Sequence, residues 1–304
     1  LIRIRRSAFA VIAGFVLVAA AACSSGATAA PAAGGSGAPA ANQNDPNSIL
    51  TSVINGGSDI KSFHIKIAVS GTIKAAALQA AMADSSSSSG IQITSDAKLD
   101  GTAIEGDVDV ANSAVHLTAN VPALQMLGNI PITGDVIVVG GNLYYKVSLL
   151  GAKYTQMNLG SLTSGLPVSI PSVLPSPGAS DMTAVTDQIN QLRTQMEAAG
   201  VKITLVGVDK IGGQDANHIN VSVPIDKLNA EIAAQASGGP SMTIDSASID
   251  FWVYKSNSRL AQMEIKGASA ALGNLDFMIT VTDYDQPVTI TAPAAGDIAP
   301  ATGS

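Results

Sequence analysis

Ser62-Phe63-His64-Ile65-Lys66-Ile67-Ala68-Val69-Ser70 sets the fold class, because its side chains alternate. Phe63, Ile65, Ile67 and Val69 fall on one side, while His64, Lys66 and Ser70 fall on the other. Side chains of a strand point to opposite faces with a period of two, so the segment reads as a strand half-buried on one face of a sheet. The same alternation returns in Ile91–Leu99, Ala103–Val110, Ala114–Val121, Asp135–Val139 and Leu143–Val147. Gly140-Gly141-Asn142 between the last two is a hairpin turn signal. After Gly200, strands are expected at Val201–Val208 and Asn217–Val223, turning through Gly212-Gly213. A meander then runs over Ala247–Tyr254, Leu260–Lys266, Leu275–Thr282 and Val288–Thr291.

Helical periodicity interrupts this pattern only a few times. Asp45-Pro46 supplies a cap and a proline at the first helical position, followed by Ile49, Leu50, Val53 and Ile54 and a stop at Gly56-Gly57. Lys74–Ala83 is a second helix former, followed by the low-complexity Ser85–Ser89 loop. The clearest stripe is Met182, Val185, Ile189, Leu192 and Met196, capped by Ser180 or Asp181 and ended by Gly200. Ile225, Leu228 and Ile232 mark a short helix before Gly238-Gly239-Pro240. Ser161–Ser180, with Pro167, Pro171, Pro175 and Pro177, is an extended loop, either a linker or a lid. Many hairpin-linked strands with few helices define an α+β fold. The expectation is a large curved antiparallel β-sheet, a half-barrel, with helices packed on the concave face.

Upstream of this domain the chain changes character. Arg3, Arg5 and Arg6 precede an apolar run from Ala8 to Ala22 that ends at Cys23, the only cysteine of the 304 residues. This is the pattern of a secretory signal, and the run is short for a membrane span. Leu17-Val18-Ala19-Ala20-Ala21-Ala22-Cys23-Ser24-Ser25 resembles the lipobox of bacterial lipoproteins, with Ala20 where that family prefers leucine. The resemblance implies acylation of Cys23 and a mature N-terminus there. A plain secretory signal cut at an A-x-A site such as Ala20–Ala22 fits the same residues. Residues 1–22 are thus read as a signal peptide. Residues 23–44, rich in Ala, Gly, Pro and Ser, form a disordered lipid-anchored linker, 45–293 a single domain and 294–304 a disordered tail.

Loss of Arg3, Arg5 and Arg6 with the signal lowers the 16 basic residues to 13, against 23 acidic ones. Such a chain is ill suited to nucleic acid, whose phosphates need clustered Lys and Arg. With no second cysteine, internal disulfides are excluded and the core must carry stability alone.

Ile137–Tyr145 as a displayed hairpin, Val208–Gln214, Phe251-Trp252-Val253 with Arg259–Gln262, and a closing Tyr284–Pro293 strand together resemble the LppX/LprG-type lipoproteins of actinobacteria, which share their fold with LolA and LolB. The Lys74–Ser89 insertion and the proline loop depart from that pattern. The resemblance implies a cavity for lipid acyl chains and a role in moving or presenting lipid or lipoglycan cargo outside the cytoplasmic membrane. The acyl anchor on Cys23 gives a membrane partner, the acidic balance argues against nucleic acid, and the chain is expected to be a monomer with no cofactor. Met182, Val185, Ile189, Leu192 and Met196 either line that cavity or pack a plain core. Val168, Ile170, Val173 and Leu174 of the proline loop either form its mouth or clamp a sheet edge. A surface-tethered interaction module with a filled core is the alternative.

His64, His116 and His218 lack metal-ligand spacing and are read as sheet-face residues. Asp100, Glu105, Asp107 and Asp109 lack a calcium-loop pattern and are read as a solvated face. No nucleophile elbow, zinc-protease helix or phosphate-binding loop is present, so the chain is not read as an enzyme.

Overall fold

Asp45 opens the first helix by capping it. Its carboxylate accepts the backbone N–H of Asn47 at 3.3 Å and of Ser48 at 3.0 Å, donors that a helix start leaves without an intrahelical acceptor. Pro46, with no N–H to satisfy, then begins α1 (Pro46–Gly56). In the computed structural model, residues 44–83, 93–124, 130–159, 194, 197–235 and 243–300 are described.

Two further helices follow, α2 (Ala75–Ala83) and α3 (Ile225–Gln235). The first strands are β1 (Ser62–Ile73), β2 (Ala97–Lys98), β3 (Thr102–Asp109), β4 (Ala114–Leu124), β5 (Ile130–Val139), β6 (Asn142–Val147) and β7 (Thr155–Asn158). The rest are β8 (Lys202–Ile211), β9 (Gln214–Ser222), β10 (Ser246–Tyr254), β11 (Leu260–Ser269) and β12 (Gly273–Thr282). The strands order as β7-β6-β5-β4-β3-β1-β12-β11-β10-β9-β8, with β2 beside β1. The fold is therefore α+β, built on one large antiparallel sheet with few helices. Its residues gather into two compact units, divided between Ile60 and Lys61 and again within β10 and β11.

One unit holds α1, β8, β9, α3 and residues 249–262. Gly212 and Gly213 turn β8 into β9 with φ of 56° and 82°, the left-handed pair that a two-residue hairpin turn needs. Ile203 faces Val221 and Leu205 faces Ile219, before a bulge shifts the register between Leu205 and Gly207. The apolar stripe of α1 closes this face. Ile49, Ile219 and Val253 form its buried centre, with Leu50, Val53, Ile203, Leu205 and Phe251 packed around them. Gly200 takes φ of 80° and donates its N–H to Glu197 O at 2.8 Å, the helix stop expected at that glycine.

The other unit is organised about β1. Its two edges are both taken, by β12 from His64↔Thr282 to Ile73↔Gly273 and by β3 from Ser62↔Asp109 to Val69↔Thr102. Hairpins continue from β3 to β7, and Gly140-Gly141 makes the expected tight turn with φ of 58° and 74°.

Three differences from the sequence reading have local causes. Ile91–Leu99 is not a full strand: only Ala97 and Lys98 pair with β1, and residues 91–92 lie outside the described ones. Asp96 instead accepts the Ala75 N–H at 2.9 Å and the Lys74 ammonium at 3.0 Å, and Ile93 gives its N–H to the Gln79 side chain. Val288–Thr291, and with it the closing Tyr284–Pro293 strand, is unpaired. Asp283 and Asp285 turn the chain away with φ of 51° and 60°, Pro287 and Pro293 carry no N–H, and β1 has no edge left to offer. The alternation around Met157 hides a strand the reading missed, β7, which pairs with β6 from Asn142↔Asn158 to Tyr145↔Thr155.

Residues 294–300, placed in a disordered tail by their composition, are tied down. A 3-10 turn at Ala295–Asp297 brings Asp297 O to the Tyr154 N–H and the Ala299 N–H to Tyr154 O, each at 2.8 Å. The other end of this C-terminal segment is held at β1, where Asp285 accepts the Lys61 N–H at 2.9 Å and Ser62 donates its hydroxyl to Gln286 O.

Candidate functional site

Residues directly opposite in an antiparallel pair share a face, so the registers of the β1 unit sort its side chains. Ile67 faces Ile104 and Ile279, Val108 faces Val115, and Leu117 faces Val136, giving an apolar surface that runs from β12 across to β5. Phe63, Ile279 and Val281 are buried. Ile65, Ile67, Val69, Ile104, Leu117 and Val136 are only half-buried. The α1 face of the other unit has the same mixture, with Ile219 and Val253 buried and Ile203, Leu205 and Phe251 partly buried.

The opposite face of the same strands is polar. His64 Nδ1 lies 2.8 Å from Asp107, Lys66 Nζ 3.3 Å from Glu105, and His116 Nε2 3.1 Å from Asp135. Between them runs an open groove of about 930 Å³ lined by Lys66, Glu105, Thr118, Asp135, Lys146 and Ser148, among others. Lys146 Nζ sits 4.4 Å above the centre of the Tyr154 ring. Burial, reinforced by the Asp135 carboxylate, pushes the Tyr154 hydroxyl above its usual range. Charges of both signs are paired here, so the groove carries no strong field of either sign.

The acidic residues do not all share the solvated face assigned to them. Asp109 is 7 % exposed. Its carboxylate accepts the backbone N–H of Asn112 at 3.0 Å and the Asn112 side-chain amide at 2.8 Å, which fixes the β3–β4 turn. Asp100 accepts the Gly71 N–H at 3.1 Å.

His218, in the α1 unit, occupies the most enclosed polar cluster of the three histidines. Its Nδ1 is 3.1 Å from Asp209 and its Nε2 2.9 Å from Asp250. The ring stacks on Trp252 with centroids 4.4 Å apart. Trp252 Nε1 donates to Asp209 at 2.8 Å, and the Asn220 amide donates to Asp250 at 2.8 Å. Both ring nitrogens thus face carboxylate oxygens, one from β8 and one from β10. All three histidines are sheet-face residues as read, but the aspartate beside each was missed. Strand parity alone places His64 on a polar face; only the β1–β3 register puts Asp107 opposite it.

Cys23 and the expected cavity residues Val168, Ile170, Val173, Leu174, Met182, Val185, Ile189, Leu192 and Met196 lie outside the described residues. Among the described residues, no group of three or more His, Cys, Asp or Glu is arranged to hold a metal ion, and no helix is long and apolar enough to cross a membrane.

No family model and no curated protein matches the chain. Among solved structures its neighbours include lipoproteins and a LolA superfamily protein. The lipoprotein LppX of Mycobacterium tuberculosis is 16 % identical, covering 81 % of this chain and 98 % of that one, with a TM-score of 0.40. LprF of Mycobacterium bovis is 17 % identical over 82 % of this chain and 97 % of its own, with a TM-score of 0.42. The LolA superfamily protein NE2245 of Nitrosomonas europaea is 11 % identical over 80 % and 94 %, with a TM-score of 0.24.

Proposed function

We propose that this is a lipid-binding lipoprotein of the cell envelope, non-catalytic and monomeric. Acyl chains on Cys23, a palmitate among them, hold it to the extracytoplasmic face of the cell membrane, and it carries or presents lipid or lipoglycan there. The observation that carries the reading is the half-buried apolar surface of Ile65, Ile67, Ile104, Leu117 and Val136. A continuous apolar sheet face that is not fully sealed is a surface on which an apolar ligand can lie. Acyl chains suit it, because each methylene withdrawn from water contributes about 0.8 kcal/mol without needing a directed polar partner. The lipobox-like segment at Cys23 supplies the address, and two acyl chains give a stable anchor where one holds only marginally.

Native mass spectrometry of the full chain purified from a lipid-producing host tests the cargo. Bound lipid that survives desalting is expected, and its consistent absence overturns the reading. Fractionation tests the anchor separately: Cys23→Ser moves the protein from the membrane to the soluble fraction if Cys23 is acylated.

A further inference from the structure

Three large apolar side chains stand in solvent at one end of the β1 unit. Ile130 is 51 % exposed, Leu149 52 % and Leu150 78 %. The topology puts them at the same end of the strands: β5 starts at Ile130, four residues before Gly134, and Gly134 faces Val147 at the close of β6, directly before the turn that carries Leu149 and Leu150. That turn is built rather than frayed. The Leu150 and Gly151 N–H groups both donate to Val147 O, at 2.9 and 3.2 Å, and the Ser148 N–H donates to Thr133 O at 2.9 Å. The backbone therefore holds the two leucines outward at the tip of a closed turn.

The charge pattern at this end departs from the rest of the chain. The whole sequence carries a net charge of −7, yet among the described residues at this end no charged one occurs in 120–124, 130–134 or 147–152, and the first beyond the turn is Lys153. Across the sheet at the same end, the carboxylate of Asp100 is taken up by the Gly71 N–H. The turn itself is uncharged and apolar, with Lys153 at its base and the Asp297 turn held against Tyr154 beside it. Such a point suits a lipid headgroup layer, where apolar tips pass into the acyl boundary while a lysine stem reaches back to phosphate.

We propose that the Leu149–Leu150 turn, with Ile130 at the same end of the sheet, is a membrane-contacting tip that inserts into the surface of a bilayer. This contact is made by the folded domain itself. It rests on exposure and charge alone, and holds whether or not the domain carries a lipid cargo.

The test uses the full chain with vesicles of phosphatidylcholine and phosphatidylglycerol, a fraction of the phosphatidylcholine brominated in its acyl chains. Leu150→Trp places a reporter at the tip. Ala111→Trp places one in the exposed β3–β4 turn at the opposite end of the same strands, and the native Trp252 is buried. With vesicles present, the Leu150→Trp emission is expected to shift blue and to be quenched by bromine severalfold more than that of Ala111→Trp. In an Ile130→Trp reporter, adding Leu149→Ser and Leu150→Ser should remove most of the quenching. Equal quenching at the two ends, no quenching at the tip, or no association with vesicles each overturns the proposal. A blue shift at Leu150→Trp without vesicles that grows with protein concentration also overturns it, in favour of self-association. Absence of co-purified lipid leaves this result untouched, so the two proposals fail separately.

Discussion

His218 and Trp252 stack with their ring centroids 4.4 Å apart, and both are tied to Asp209: the imidazole through Nδ1 and the indole through Nε1. One carboxylate thus fixes two rings on neighbouring strands. The bulge between Leu205 and Gly207 makes this possible, because it resets the register of β8 so that Asp209 lies across from Ala216, on the side that His218 shares.

Trp252→Phe keeps most of the stacked surface and removes the indole donor. One half-buried charge-assisted hydrogen bond is lost, which destabilises by about 1–3 kcal/mol. Urea unfolding followed by circular dichroism should show a lower midpoint with an unchanged slope. A midpoint equal to that of the parent would show that Asp209 is solvated well enough without the indole.

Ile49 carries the docking of α1. It is 2 % exposed and meets Ile219 and Val253. Ile49→Ala removes three carbons from a closed cluster and should cost about 2–5 kcal/mol, with the higher values applying if the space does not collapse. Hydrogen exchange should then show loss of protection in α1 before loss in β8 and β9. Uniform loss throughout would mean that α1 and the strands unfold as one unit.

Asp276 sits on β12 with one carboxylate oxygen buried and without a hydrogen-bond partner. Burial first, then the Glu264 carboxylate, raises its pKa above the ordinary 3.8. A raised acid binds its proton more tightly in the folded state, so stability falls as pH climbs from 3.8 through the raised value, and the full penalty stands above it. Asp276→Asn should therefore melt at a higher temperature than the parent at pH 7. The gap should narrow as pH falls and close below about 3.8. A gap that persists at pH 3 would place the effect in packing rather than in ionisation.

The elements written in local chemistry were readable from sequence. Asp45-Pro46, the Ile49–Val53 stripe, the two glycine turns and the period-two strands each depend on residues within one turn or one strand. What escaped depends on partners far away in the chain. Val288–Thr291 alternates as a strand should, but no edge of β1 is free for it. Asp96 reads as part of an alternating run until Ala75, 21 residues earlier, presents an N–H to it. The aspartate beside each histidine follows from register alone. The apolar sheet face could be foreseen from parity, whereas its half-open state depends on what packs over it.

Asp96 also offers the cleanest separation of cap from charge. Its carboxylate stands at the start of α2, where the Ala75 N–H first and the Lys74 ammonium second hold its pKa below the ordinary value. A depressed acid contributes stability above its unfolded pKa and loses that contribution as pH falls through the folded value. At pH 7 Asp96→Ala should expose the first amides of α2 to faster hydrogen exchange, including those of Ala77 and Leu78, which bond to Lys74 O. Asp96→Asn keeps an acceptor for the Ala75 N–H and gives up the charge, so it should fall between the two. Below the folded pKa the parent loses its charge and should behave like Asp96→Asn. If the parent remains better protected than Asp96→Asn at a pH where NMR shows its Asp96 carboxyl protonated, the start of α2 is held by packing and the carboxylate is incidental to it.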